Sequence, residues 1–222
     1  MPLTSDRLAL DDRKLAQAIV QALQMWSHPR YQDFLIGVPP EHLDPVWFDW
    51  FGGQWSVFRN VKKEEIPAVR EYLDEKFRQA LQQGCGADAV DAAAAEIKEL
   101  QWTTINGKGA ENSLPISLVS KIGFFFCPDR LVPKDTFAVK GLNKLRGLSC
   151  KPALNGPSYR EFFAAFNEQY SQKEPELRAA MSEQWVKDLA GKLKCPASAL
   201  TTTAMQRKLF DNYLMQVGGF ER

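Results

Sequence analysis

Lys121 and Asp135 are the two residues whose type and setting best suit chemistry. Lys121 opens an apolar run that continues through Ile122, Phe124, Phe125 and Phe126, and Asp135 follows Val132-Pro133-Lys134. A lysine amine attacks electrophilic carbon and forms a Schiff base when burial or a cationic neighbour weakens its hold on a proton. An aspartate at a helix start stabilises positive charge as it develops, or orients the amine. The same residues also have a purely structural reading. Asp135 then only caps the next helix, and Lys121 is a surface lysine with a packed stem. Other chemistry is poorly supplied. His28 and His42 are the only histidines, and neither lies near a serine or cysteine signature of a triad hydrolase. There is no H-E-x-x-H, and no glycine pattern of a dinucleotide fold. The cysteines, Cys85, Cys127, Cys150 and Cys195, are widely spaced with no C-x-x-C, so no metal and no cofactor is expected. Cys127, in Phe-Phe-Phe-Cys, reads as a core thiol.

The elements that must position Lys121 and Asp135 are two helices within Ser117 to Leu145. The first is apolar and carries Lys121 on its early turns. A short turn follows, with Pro133 at the entry to the second helix and Asp135 placed to cap it. That second helix, Thr136 to Leu145, sets Phe137, Val139, Leu142 and Leu145 at helical spacings. The reading places Lys121 and Asp135 on one cleft. From Lys121 to Lys151 there are seven Lys or Arg against two Asp, although the whole chain carries a formal net charge of only +1. Lys134, Lys140, Lys144 and Arg146 are the candidates for holding a phosphate backbone; a solvated helix face would account for the same surplus.

The run Ser120-Lys121-Ile122, followed by Leu131-Val132-Pro133-Lys134-Asp135-Thr136-Phe137-Ala138, resembles the heart of the helix-hairpin-helix DNA glycosylases, in particular the 8-oxoguanine glycosylase branch. In that family a lysine near the start of one helix precedes an apolar segment and a Val-Pro-x-Asp turn. The resemblance spans roughly thirty residues and implies an all-α fold in two lobes around a cleft. It implies Lys121 as nucleophile at the sugar C1′, Asp135 as its partner, damaged or modified DNA as substrate, and a role in DNA repair. The chain departs from the family at Asn112-Ser113-Leu114-Pro115-Ile116-Ser117, where a Gly-x-Gly hairpin is the pattern, and its lysine-to-aspartate interval is a little short. The alternative is a catalytically silent helical module of the same fold that binds a protein partner in a bacterial multi-gene, defence-type system.

The rest of the chain reads as further helices. Six Trp and fourteen Phe among 222 residues supply a sizeable core, and hydrophobic residues at 45% with charged residues at 25% are ordinary for a globular domain. Helices are expected over Leu8–Trp26, a short stretch around Trp47–Phe51 ended by Gly52-Gly53, Lys62–Gln83, Asp88–Leu100, Ser158–Tyr170, Pro175–Leu193 and Thr202–Val217. The aromatics between Tyr31 and Trp55 read as core, with base stacking as the competing use. Asn106-Gly107-Lys108-Gly109 reads as a surface loop that need not touch phosphate. No stretch alternates with period two. The expectation is one all-α domain over 1–222, of about eight helices, with room for lobes 1–101 and 114–222. No apolar run is long enough for a membrane span, and a cytoplasmic protein is expected.

Overall fold

A computed structural model of the chain describes residues 10–35, 40–58, 63–84, 86–99, 115–147 and 158–220. Among them the protein is all-α, with no strand. The helices are α1 Asp12–Ser27, α2 Pro29–Leu35, α3 Pro45–Gln54, α4 Ile66–Tyr72, α5 Arg78–Gln82, α6 Gly86–Glu99, α7 Ile116–Phe126, α8 Thr136–Leu145, α9 Tyr159–Ser182, α10 Gln184–Leu193 and α11 Thr203–Val217. No helix of the described residues is long and apolar enough to cross a membrane. The expected loop at 102–113, and with it Asn106-Gly107-Lys108-Gly109, lies outside the described residues, as do Leu8, Lys62, Cys85, Leu100 and Cys150.

Capping side chains set five of the helix starts. Asp11 accepts from the Lys14 N–H, Asp44 from Trp47, Asp135 from Phe137, Ser158 from Glu161 and Thr202 from Met205. Each satisfies an amide that the first turn leaves unpaired. α1 thus begins at Asp12, later than the periodicity from Leu8 suggests. Pro45 is the first residue of α3, where its missing N–H costs nothing.

Four local expectations are corrected. Gly52-Gly53 does not end α3, which runs on to Gln54. A Cβ on Gly52 would fall 1.9 Å from the Phe58 ring, so this glycine serves close packing instead of termination. The expected helix over Lys62–Gln83 opens with a 3₁₀ turn at Lys63–Glu65 and widens into a π turn at Leu73–Phe77 between α4 and α5. Buried Asp74 lies in that turn, with Arg78 Nη2 2.6 Å from its Oδ1 and the His42 ring 3.3 Å from its Oδ2. Pro175 does not begin a helix. α9 passes through it and breaks at Glu183. An interior proline costs a helix about 3 kcal/mol. Here Phe166 and Tyr170 before it and Leu177 and Met181 after it are buried in the same core, and they hold the helix together. α2, finally, was not expected: a helix starts directly at Pro29.

α11 is the centre of the packing and meets α8 and α1 most extensively. Every residue from Ala204 to Leu214 is buried. A helix buried all round is ordinarily apolar all round, yet this one carries Gln206, Arg207, Lys208, Asp211 and Asn212 inside. Two glycines allow the close approach of α8 to α11. A Cβ on Gly141 would sit 1.9 Å from the Leu214 carbonyl oxygen, and one on Gly218 would sit 2.0 Å from the Phe137 carbonyl oxygen. Tyr31, Phe34, Phe48 and Phe51 are core, as expected, and Trp47, Trp50 and Trp55 are half-buried against it. Tyr31, Phe34, Trp47, Phe51 and Trp55 all pack on Phe125, with ring centroids 5.1 to 5.7 Å away.

Candidate active site

α7 is apolar enough to be buried on every face from Leu118 to Phe126, and Lys121 is carried in with it at 5% exposure. Its ammonium head is buried as well as its stem, so the surface-lysine reading is corrected. Nζ lies 3.3 Å from Asp135 Oδ2 and 3.4 Å from the Trp55 carbonyl oxygen at the end of α3. It also sits 5.6 Å from the centre of the Trp55 ring. The expectation that Lys121 and Asp135 face one cleft is met. Asp135 divides its two oxygens: Oδ1 accepts from the Phe137 N–H at 2.9 Å as the cap of α8, and Oδ2 faces the amine.

The turn that presents Asp135 is held from beneath. Tyr159, fully buried at the start of α9, accepts from the Val132 N–H at 3.0 Å and donates to the Val132 carbonyl at 2.8 Å through one hydroxyl. Ser120 Oγ accepts from the Lys134 N–H at 2.9 Å. Tyr159 is itself placed by Asp91 of α6, whose carboxylate accepts from the backbone amides of Tyr159 and Arg160 and faces the Ser158 hydroxyl. Burial pushes the Tyr159 phenol well above the usual tyrosine range, so it stays a donor to Val132.

Two residues that the sequence reading missed complete the site. Lys208 of α11 is 4% exposed and Asp211, one turn on, is 0% exposed. Lys208 Nζ bonds Asp211 Oδ2 and lies 5.2 Å from the centre of the same Trp55 ring that Lys121 faces. Burial is the largest influence on Lys121 and pushes its amine below the ordinary lysine range. The Asp135 carboxylate opposes that shift, the Lys208 ammonium adds to it, and Asp211 opposes it more weakly. Burial likewise pushes the Asp211 carboxyl up, against the pull of Lys208.

These groups line a cleft of about 1440 Å³. Its apolar surface includes Tyr31, Trp55, Phe137 and Phe220, and α1 and α11 add the amides of Gln17, Gln21, Gln24, Asn212 and Gln216. Phe137 and Phe220 pack edge to face, 5.3 Å between centroids. Trp55 lines the cleft, whereas Phe124, Phe125 and Phe126 are core. Cys127 is half-buried at the end of α7.

Lys134, Lys140, Lys144 and Arg146 do not line the cleft. Lys134 Nζ donates to the Ser158 carbonyl at 3.1 Å and Lys144 Nζ to the Val217 carbonyl at 2.9 Å. Lys140 is exposed, its amine 5.3 Å from the centre of the Phe137 ring, and Arg146 is exposed just beyond α8. The cations on the cleft itself are Arg13, Lys14, Lys121 and Lys208, set against Asp11, Asp135 and Asp211. Among the described residues no group of three or more His, Cys, Asp or Glu side chains is arranged to hold a metal ion. No protein-family model, curated protein or solved structure matches this chain.

Proposed function

We propose that the protein is a DNA glycosylase-like enzyme that acts on a damaged or modified base through Lys121 and Asp135. The observation that carries this reading is the buried Lys121 amine, 3.3 Å from Asp135 Oδ2, on the wall of an open cleft. A buried amine that a protein keeps beside a carboxylate, and exposes to a large cavity, is costly as structure and useful as a nucleophile. In the reaction, the neutral Lys121 amine attacks C1′ of a flipped nucleotide. The bond from C1′ to the base nitrogen breaks, and the base leaves with that electron pair and takes up a proton. The new Nζ–C1′ bond then becomes a Schiff base as the sugar ring opens. Asp135 Oδ2 lies where positive charge gathers on C1′ and Nζ. Trp55, Tyr31, Phe137 and the cleft amides suit a planar base that is read by hydrogen bonds and stacking.

DNA would run along α8 from Phe137, where Lys140 is exposed, toward Arg146, exposed at the helix end. Lys134 and Lys144 are instead tied to the Ser158 and Val217 carbonyls.

The alternative, a silent helical module that binds a protein partner, is favoured by the near balance of cations and anions on the cleft. Single-turnover excision on a panel of lesion-bearing duplexes separates the two. Excision that is lost in Lys121→Gln supports the enzyme. Wild-type protein inactive on every lesion, or full activity in Lys121→Gln, removes it.

A further inference from the structure

The Lys208–Asp211 pair is a buried ion pair that the mechanism above does not use. Lys208 and Asp211 are almost wholly enclosed, yet both line the cleft. Buried ion pairs gain little for stability, because desolvating two charges offsets their attraction. The second oxygen of Asp211, Oδ1, is buried with no hydrogen-bond partner among the described residues, so this pair is not even fully satisfied. Its placement points to a task at the site. Lys208 Nζ and Lys121 Nζ lie 5.2 and 5.6 Å from the centre of one indole ring, that of Trp55. A fixed cation beside an amine disfavours a second positive charge there.

We propose that Lys208 is a positioning residue for Lys121: a cation anchored by Asp211 and seated at Trp55, which favours the uncharged, attacking form of the Lys121 amine. The charged groups around Lys121 come from three sides. Asp135 approaches from the cap of α8, Lys208 and Asp211 from α11, and α1 contributes Asp11, Arg13 and Lys14 to the lining of the cleft. Among these, Asp135 acts to keep Lys121 charged and Lys208 acts against it, with a larger influence than that of Asp211. Asp211 thus keeps Lys208 in place without cancelling its effect. The pair would let Lys121 stay next to the carboxylate that its chemistry needs and still shed its proton.

This inference rests on Lys121 being the nucleophile, but its test needs no DNA. The Lys121 side-chain resonances are followed by carbon and nitrogen NMR across pH in uniformly labelled protein, with Lys121→Met used for assignment. Lys208→Met should move the Lys121 titration midpoint upward, and Lys208→Arg, which keeps the cation, should leave it where it is in the wild type. Lys208→Met strands the Asp211 carboxyl, so a second variant, Lys208→Met with Asp211→Leu, removes both charges together. It should also move the midpoint upward, by less. An unchanged or lowered midpoint in the folded Lys208→Met or double variant overturns the proposal. So does a Lys208→Arg midpoint displaced as far as that of Lys208→Met. A null result here alongside successful excision would leave Lys121 as nucleophile with burial and Asp135 setting its charge. A shifted midpoint in a protein that excises nothing would leave the pair intact and the glycosylase reading without support.

Discussion

Asp135 performs two tasks with two oxygens, and they can be separated by substitution. Oδ1 caps α8 and Oδ2 faces Lys121. Asparagine caps a helix about as well as aspartate, whereas alanine forfeits about 1 kcal/mol. Urea unfolding should therefore place Asp135→Asn close to the wild type and Asp135→Ala about 1 kcal/mol below it. Base excision should fall in both. An Asn variant with wild-type excision would reduce Asp135 to a cap. Lys121 makes a different prediction, about pH. Its amine is held below its ordinary value of 10.5, first by burial. Between the folded midpoint and that ordinary value, the unfolded chain holds a proton that the folded chain has shed. Stability from this group therefore rises with pH across the window. At neutral pH Lys121→Met should be at least as stable as the wild type, because Asp135 keeps access to water. The difference should narrow as pH rises toward 10.5. A variant clearly less stable at neutral pH, with no such narrowing, would mean that the amine stabilises the fold. The individual residues of the site were only partly legible. Lys121 and Asp135 stand out because they share one short stretch with a Pro and an N-cap signal. Lys208 and Asp211 carry no such signal. They form an ordinary i, i+3 pair on a helix far along the chain, and only folding brings them to Trp55.

At the scale of elements, the site depends on how tightly α8 and α11 approach. α8 carries Asp135 at its cap and α11 carries Lys208 and Asp211, so any widening moves both walls. Gly141 meets a backbone carbonyl at 1.9 Å from its notional Cβ, and backbone cannot turn aside as a side chain can. Gly141→Ala should cost about 1–3 kcal/mol by overpacking, although alanine is the better helix former. Thermal unfolding checks this, and an unchanged or raised Tm would show that the helices separate freely. The helix starts expected at Asp135, Ser158 and Thr202 fall where a side chain caps, whereas at Asp11 the apolar periodicity from Leu8 put the start ahead of the cap. Helix interiors and ends were less so. Pro175 and Gly52-Gly53 carry strong local preferences for breaking a helix, and packing overrides them, from both sides at Pro175 and through Phe58 at Gly52. The π turn at Leu73–Phe77 leaves no mark in a pattern with period 3.6, because one extra residue only shifts the apolar stripe.

For the whole molecule, a net charge of +1 leaves no general attraction for nucleic acid, so any grip on DNA must be local. Among the described residues Lys140, exposed beside Phe137, and Arg146, exposed at the far end of α8, make no carbonyl contact of the kind that engages Lys134 and Lys144, so they are the cations tested for DNA. The double variant Lys140→Glu, Arg146→Glu should weaken duplex binding at low salt and reduce the salt slope by about two units, one per phosphate contact. An unchanged slope would put the DNA elsewhere. Lys144→Glu should in addition loosen the end of α11, which its amine ties at Val217. The central claim is that the Lys121 amine attacks the sugar, and covalent capture tests it most directly. Protein is mixed with duplexes carrying assorted base lesions, the Schiff base is reduced with borohydride, and the adduct is mapped by mass spectrometry of peptides. A DNA remnant on Lys121, absent from Lys121→Gln, is the predicted result. An adduct on a different lysine, or none with any lesion, would contradict it.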